Sequence, residues 1–201
     1  MSIIDSKSAT EYISNSKDMF QSKWIFFSAA LNAFVLFFIN TFFSISYVYT
    51  IISIMIGLIM ITESVYITIK KSADESLKYL LFGCNLIFFG ACLETISTIL
   101  LKELKSPILF IFLLVSSLII FLFSLVKEFL KLKKVKSTKS ISVSVGVLGV
   151  LSFLLAWFLK DNFHSEKIVF GTITGFIGVS MFMSGYWFFK AYCFFIIEKH
   201  Q

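Results

Sequence analysis

A carboxylate in an otherwise uncharged apolar run is the side chain best suited to chemistry. Glu94 lies in residues 79–101, which contain no other charge. An ionisable group inside a membrane helix is costly, so it is by default a candidate proton or cation site. Helical spacing puts Glu94 on one face with Gly90 and Thr98, and we expect that face to meet a neighbouring helix. A protonated structural glutamate, or one that reaches the outer interface, is the alternative.

Amide and hydroxyl side chains recur every four residues in the first apolar run, at Ser28, Asn32 and, after one leucine, Asn40. These groups could line a polar pathway. More commonly such stripes join helices, because amides and hydroxyls hydrogen-bond across closely packed neighbours. The predicted intramembrane polar site therefore consists of Glu94, Asn32, Asn40 and Thr98, and both interpretations stay open.

The last apolar run carries a stripe of glycines at helical spacing: Gly171, Gly175, Gly178 and Gly185. Small residues in this pattern allow two helices to approach closely. The pattern does not distinguish packing inside one chain from packing between copies. A homo-oligomer is therefore one hypothesis.

The densest positive charge lies in residues 127–139, which carry Lys127, Lys131, Lys133, Lys134, Lys136 and Lys139. Apolar residues in this segment are spaced for one helix face. An amphipathic basic segment binds anionic lipid headgroups or an acidic protein partner. A solvated anchor on the inner side of the membrane is the simpler interpretation.

Patterns typical of catalysis and metal binding are missing from the sequence. The two histidines are isolated, the three cysteines form no CxxC pair, and no Gly-rich phosphate loop or HExxH is present. We therefore expect no enzyme activity, no metal and no cofactor. The net charge of +6 comes from lysines that separate apolar runs, which argues for membrane topology and against direct nucleic-acid binding.

The elements that hold these residues follow from composition. Of the 201 residues, 58% are hydrophobic and 15% are charged, and the mean hydropathy is +0.90. Soluble domains carry about 25% charged residues, so we predict an all-α bundle of membrane-spanning helices. Residues 24–62 contain no charge over 39 positions, about twice the length that one crossing needs. The chain must turn within them, and the polar cluster that begins at Asn40 is the predicted turn.

Six spans in three hairpins are predicted, near residues 24–41, 46–69, 79–101, 107–126, 141–159 and 168–189. Pro107 begins its span, where its missing N–H costs nothing, and no interrupted helix is predicted. The bundle as a whole covers residues 24–197. A polar N-terminal arm, a basic loop and a short tail complete the chain, at residues 1–23, 127–139 and 198–201.

Lysines alternate between the two predicted sides. Thirteen fall on the side of both termini and four on the other, which places the N- and C-termini in the cytoplasm. The first apolar run follows a polar arm and not a signal peptide, so it is expected to remain as an anchor. All the basic side chains are lysine, a bias of AT-rich coding that favours a bacterial inner membrane.

Two functional hypotheses follow. The first is a noncatalytic multi-pass subunit, an oligomeric scaffold or sensor that recruits or signals to a cytosolic protein, in a setting such as bacterial phage defence or toxin immunity. The second is a small ion or solute channel or transporter that uses Glu94. The first is favoured because intramembrane polar groups are sparse.

Overall fold

A computed structural model describes residues 4–16, 21, 23–42, 47–69, 74–101, 107–133 and 166–199. Every element in these residues is helical, without a strand, as the predicted all-α class requires. The elements are α1 (Ser6–Asn15), α2 (Lys23–Phe42), α3 (Tyr47–Ile69), α4 (Glu75–Leu100), α5 (Pro107–Lys133), α6 (Glu166–Met181) and α7 (Gly185–Lys199).

Four stretches of the described chain are long and apolar enough to cross a membrane: Lys23–Thr41, Glu75–Leu100, Ile111–Leu132 and Glu166–Lys199. Within α3, Ile54–Ile67 forms a shorter apolar helix. Five of the predicted spans overlap described helices, namely α2, α3, α4, α5 and the pair α6–α7, and all of these but α3 are long and apolar enough to cross a membrane. The predicted span 141–159 lies outside the described residues.

Helix α4 lies at the centre of the bundle. It packs against α2 on one side and against α5, α6 and α7 on the other, while α3 packs on α2. Val35 and Ile39 of α2 form an apolar cluster with Cys92 and Ile96 of α4. Residue numbers rise together along this contact, so α2 and α4 run in the same direction.

The pair α6–α7 runs antiparallel to α4. A Cβ at Gly83, near the start of α4, would meet the ring of Phe188 in α7, whereas a Cβ at Gly171 in α6 would meet Leu101 at the end of α4. Helix α5 runs parallel to α6–α7, because Ser124, late in α5, bonds to Met183. The start of α4 and the ends of α5 and α7 therefore lie together, and this end, with α1, is called the basic end below.

The absence of an interrupted helix, expected from the sequence, was wrong at one position. A 3₁₀ turn, Phe182–Ser184, separates α6 from α7. The Ser124 hydroxyl donates to the carbonyl oxygen of Met183 at 2.8 Å, and a Cβ at Gly185 would lie 2.9 Å from the carbonyl oxygen of Phe121. Helix α5 thus comes close to the chain at this tighter turn. The Ser124 hydroxyl satisfies a carbonyl oxygen at the point where the helix changes from α to 3₁₀ geometry.

The N-terminal arm contains a helix that was not predicted. Asp5 caps α1 by accepting a hydrogen bond from the amide of Ser8 at 3.3 Å. The helix packs against α7 and the last turns of α5. Residues 4–16 of the arm are therefore a structured part of the basic end.

Candidate functional site

Glu94 is enclosed by three helices. It is 7% exposed, and the hydroxyl of Ser117 on α5 donates to its Oε1. A Cβ added to Gly178 of α6 would lie 3.0 Å from Cγ of Glu94, so the backbone of α6 closes the other side. Thr98 donates to the carbonyl oxygen of Glu94 within α4 at 2.8 Å. The carboxylate therefore joins three packed helices.

Asn32 belongs to a second buried polar cluster, between α2 and α4. It is fully buried, and its Nδ2 donates to the carbonyl oxygen of Asn85 at 2.9 Å. The side chain of Asn85 donates in return to Ser28 at 3.0 Å and to the carbonyl oxygen of Ile25 at 3.3 Å. The Oδ1 of Asn32 has no hydrogen-bond partner among the described residues.

The structure does not bring the predicted intramembrane polar residues into one site. Asn85 and Glu94 are nine residues apart on α4, about two and a half turns and about 13 Å, so they face opposite sides of that helix. Asn40 donates to the carbonyl oxygen of Leu36 in its own helix at 2.8 Å. Asn85 was missed by the sequence argument, although an amide inside an apolar run is the same signal that singled out Asn32.

The glycine stripe is used inside the chain. A Cβ at Gly175 would lie 2.6 Å from Oγ of Ser97 in α4, and one at Gly178 would lie 2.9 Å from the carbonyl oxygen of Gly90. Ser97 also donates to the carbonyl oxygen of Gly171 at 2.6 Å. Gly185 contacts α5. These glycines join α6 and α7 to α4 and α5, so the stripe is already occupied and is not a free face for a second copy.

Lys190 is buried near the basic end. It is 1% exposed, and its Nζ lies over the rings of Tyr186 and Tyr79, at 4.9 and 5.6 Å from their centroids. Trp187 stacks on Tyr79 with a centroid distance of 5.7 Å. Aromatic faces stabilise a desolvated ammonium group, which accounts for a lysine in this apolar position.

A carboxylate at the basic end holds the N-terminal helix. Glu128 of α5 is 4% exposed, and its Oε2 accepts a hydrogen bond from the phenol of Tyr12 at 2.7 Å. Its other oxygen pairs with Lys131. Burial, and next the charge of Glu128, raise the pKa of Tyr12 above its usual value of 10.0. The phenol therefore keeps its proton and the bond at neutral pH.

Apolar contacts complete the attachment of α1. Ile4 and Ala9 are buried against Phe189, Cys193 and Ile196 of α7. The ring of Tyr12 meets that of Phe189 edge to face at 5.2 Å. The opposite face of α1 is polar and exposed, with Lys7, Thr10, Glu11 and Ser14.

A signal for this helix was present in the sequence. Asp5 precedes it as a capping residue, and Ala9, Tyr12 and Ile13 recur at three- and four-residue spacing. Ten residues with so few apolar side chains predict a helix only weakly. The surface that receives α1 cannot be recognised until α5 and α7 are brought together.

The start of α4 is attached to the end of α7 at the same end of the bundle. Glu198 accepts from the amide and the hydroxyl of Ser76, at 3.2 and 2.6 Å. A carboxylate at a helix N-terminus satisfies otherwise unpaired amides and interacts favourably with the helix dipole. Three helix ends and α1 thus meet at the basic end through two separate polar contacts.

The predicted basic segment is described in part. Lys127, Lys131 and Lys133 lie in the last turns of α5, whereas Lys134, Lys136 and Lys139 lie outside the described residues. Helix α5 has 27 residues and extends about 40 Å, longer than a hydrocarbon core of about 30 Å. The lysines of its last turns can therefore lie beyond the apolar core.

In the described part of the chain, no group of three or more His, Cys, Asp or Glu side chains is placed to hold a metal ion. Two of the three free cysteines, Cys92 and Cys193, are buried, and Cys84 is exposed. The basic end is the candidate functional site, because charge, an ion pair and a separately attached helix meet there. Comparison with protein-family models, curated proteins and solved structures finds no match for this chain.

Proposed function

We propose that this chain is a noncatalytic multi-pass membrane protein whose basic end faces the cytoplasm and binds a soluble protein there. The observation that supports this most is the set of contacts by which Tyr12, Glu128 and Lys131 connect α1 to the lysine-bearing end of α5. The ion pair of Glu128 with Lys131 is neutral, and Lys127 in the same turn of α5 adds positive charge beside it. A scaffold or sensor needs a charged surface on the side of its partner.

The proposed topology has six spans in three hairpins. Helix α5 ends at the basic end and α6 begins at the opposite end, next to Leu101. The predicted span 141–159, which lies outside the described residues, would return the chain across the membrane between them. The bias of thirteen lysines to four then places the basic end and both termini in the cytoplasm.

The proposed setting is a bacterial inner membrane, where the chain serves as an oligomeric scaffold or sensor in phage defence or toxin immunity. The lysine-only basic composition supports a bacterial source. Large apolar side chains cover the outer faces of α2, α3 and α5, among them Phe34, Phe37, Leu58, Ile119 and Phe123. Lipid or further copies of the chain would cover these faces. Anionic lipid headgroups would contact lysines at the edge of the basic end.

Co-purification tests this function. The full chain is extracted in mild detergent from native membranes, and soluble proteins retained in stoichiometric amount are identified by mass spectrometry. One variant carries Lys127→Gln, Lys131→Gln and Lys133→Gln. The matched control carries the same change at three lysines of the predicted opposite side, namely Lys102, Lys105 and Lys160.

We expect a soluble protein to be retained by the wild-type chain and the control, and to be lost from the first variant. Loss from both variants would indicate a nonspecific charge effect. A chain that retains no soluble protein, or retains it equally in both variants, contradicts the proposal.

A channel or transporter is the second candidate, and the burial of an ionisable side chain, Glu94, inside an apolar helix favours it. Against it, Ser117 and the backbone at Gly178 fill the space around the carboxylate. Proteoliposomes would distinguish the two. Proton or cation flux that disappears in Glu94→Gln, with assembly intact, would replace the scaffold proposal.

A further inference from the structure

Glu128 connects two features that the sequence treats as separate. One carboxylate oxygen accepts from Tyr12 in the N-terminal arm, and the other pairs with Lys131 in the basic segment. Lys127, four residues earlier on α5, forms no ion pair within the described helices. A ligand that binds these lysines therefore affects the contact of α1 through Lys131 and Glu128, and not through Lys127.

The attachment of α1 is slight for a helix of ten residues. Ala9 is buried within α1, Ile4 is buried just before it, and Tyr12 and Ile13 are partly buried against the same cluster. Tyr12 also supplies the hydrogen bond to α5. Burial of so few side chains offsets only part of the conformational entropy lost when ten residues become ordered. Helices with few buried contacts open locally before the rest of a protein does. Small changes at Glu128 can therefore shift α1 between docked and released states.

We propose that α1 is a releasable cover over the ends of α5 and α7, and that an acidic protein surface bound beside Lys127 and Lys131 at the end of α5 releases it by taking Lys131 away from Glu128. This regulation rests on the proposed function, since it names the chemistry of the partner. An acidic protein is favoured over lipid as the trigger because anionic headgroups are always present. A cover released by them would never be closed in the cell.

Release follows from the electrostatics of Glu128. A buried carboxylate that loses its cation is left uncompensated, so Glu128 turns toward water when Lys131 is taken away. This turn carries Oε2 of Glu128 away from the phenol of Tyr12 and breaks their hydrogen bond. Release of α1 then uncovers the apolar side chains of Phe189, Cys193 and Ile196.

Cys193 provides a native reporter of this cover. It is fully buried in the cluster that α1 completes. The experiment uses the full chain in zwitterionic lipid nanodiscs, with Cys84→Ser and Cys92→Ser so that Cys193 is the only thiol. The measured quantity is the rate at which a water-soluble maleimide labels Cys193.

We expect slow labelling in this background and a rate about tenfold higher in Tyr12→Phe and in Lys131→Gln. Lys127→Gln is the matched control, with the same loss of charge and an expected change below about twofold. Ala9→Asp places a charge in the buried contact and defines the rate for released α1. Circular dichroism and gel filtration confirm that each variant is folded.

Two results would overturn the inference. If Ala9→Asp labels no faster than the background, α1 does not cover Cys193. If Lys131→Gln and Lys127→Gln behave alike, Glu128 does not connect the basic segment to α1. Neither result depends on a partner being found, so failure here is distinct from failure of the co-purification experiment.

A soluble poly-glutamate peptide tests the trigger directly. It should raise the labelling rate of Cys193 in the background chain and leave that of Lys131→Gln unchanged, while poly-lysine has no effect. Nanodiscs with anionic lipid form the last arm. Faster labelling there without the peptide would assign the trigger to lipid and overturn the choice of a protein.

Discussion

Glu94 and Asn32 are both buried polar side chains in apolar helices, but their surroundings differ. Glu94 accepts a hydrogen bond from Ser117 and is held between α5 and α6. Asn32 donates one bond to Asn85 and leaves its own oxygen without a partner in the described chain. A paired group stabilises the packing around it, whereas an unpaired one adds a desolvation cost. The two positions should therefore respond differently to substitution.

At Glu94, stability should fall in the order wild type, Glu94→Gln, Glu94→Ala. Glutamine keeps the volume and an oxygen that can accept from Ser117, so we expect a loss of about 1 kcal/mol. Alanine leaves a cavity and an unpaired hydroxyl, with a loss of about 2–4 kcal/mol. SDS-induced unfolding in mixed micelles measures both. Thr95→Ala, on the exposed side of α4, is the control. Equal stability of Glu94→Ala and wild type would show that Glu94 does not join these helices.

Across the α2–α4 contact, Asn85 should matter more than Asn32. Asn85→Leu removes donors to Ser28 and to the carbonyl oxygen of Ile25, at an expected cost of about 1–2 kcal/mol. Asn32→Leu removes one bond together with the unpartnered oxygen, so we expect a change below about 0.5 kcal/mol. The same unfolding assay compares them. A larger loss at Asn32 would indicate that its oxygen has a partner, such as an ordered water.

The sequence identifies single buried polar residues more readily than it predicts which of them lie together. Glu94 and Asn32 stand out because any polar side chain in an apolar run does. Their assignment to one site was a prediction about which faces meet. The separation of nine positions between Asn85 and Glu94 shows why it does not hold, since it puts the two side chains on opposite sides of α4.

Backbone contact between α4 and α6 sets the distance between these two helices. A Cβ at Gly90 would lie 2.7 Å from the carbonyl oxygen of Gly178, and the reverse distance is 2.9 Å. Backbone atoms cannot move aside as the end of a flexible side chain can. This contact therefore fixes how closely the last two described helices approach α4.

Gly178→Ala should weaken this packing by about 1–3 kcal/mol, because the added methyl would push two backbones apart. Gly57→Ala is the matched control, since its Cβ would lie 3.4 Å from that of Ala33, an ordinary contact. Thermal unfolding, monitored by gel filtration, compares the stability of the two variants. Equal stability of both would show that α4 and α6 are not in backbone contact.

Elements were predictable where hydropathy alone decides them. Apolar runs of sufficient length identified α2 to α5 and the α6–α7 pair, and Pro107 marked the start of α5. Two elements depend on tertiary contacts and were missed. The 3₁₀ turn accompanies the close approach of α5, and α1 needs the surface of α5 and α7 to form.

In the described part of the molecule, the basic end combines polar contacts with lysine side chains. The basic end carries α1, the pair Ser76 and Glu198, and the lysines of α5. In the interior of the described bundle, side chains and glycine backbones pack closely around α4. Charge bias and helix directions together support an arrangement in which recognition takes place at one face of the membrane and the bundle anchors it. Binding of a cytosolic protein requires the basic end to face the cytoplasm.

Single-cysteine labelling in intact cells measures that directly. In a chain without its native cysteines, Ser14→Cys marks the exposed side of α1 and Ser106→Cys marks the predicted outer turn before Pro107. A membrane-impermeant maleimide should label Ser106→Cys in intact cells, and Ser14→Cys only after permeabilisation. Labelling of Ser14→Cys in intact cells would place the basic end outside and contradict the proposed binding of a cytosolic partner.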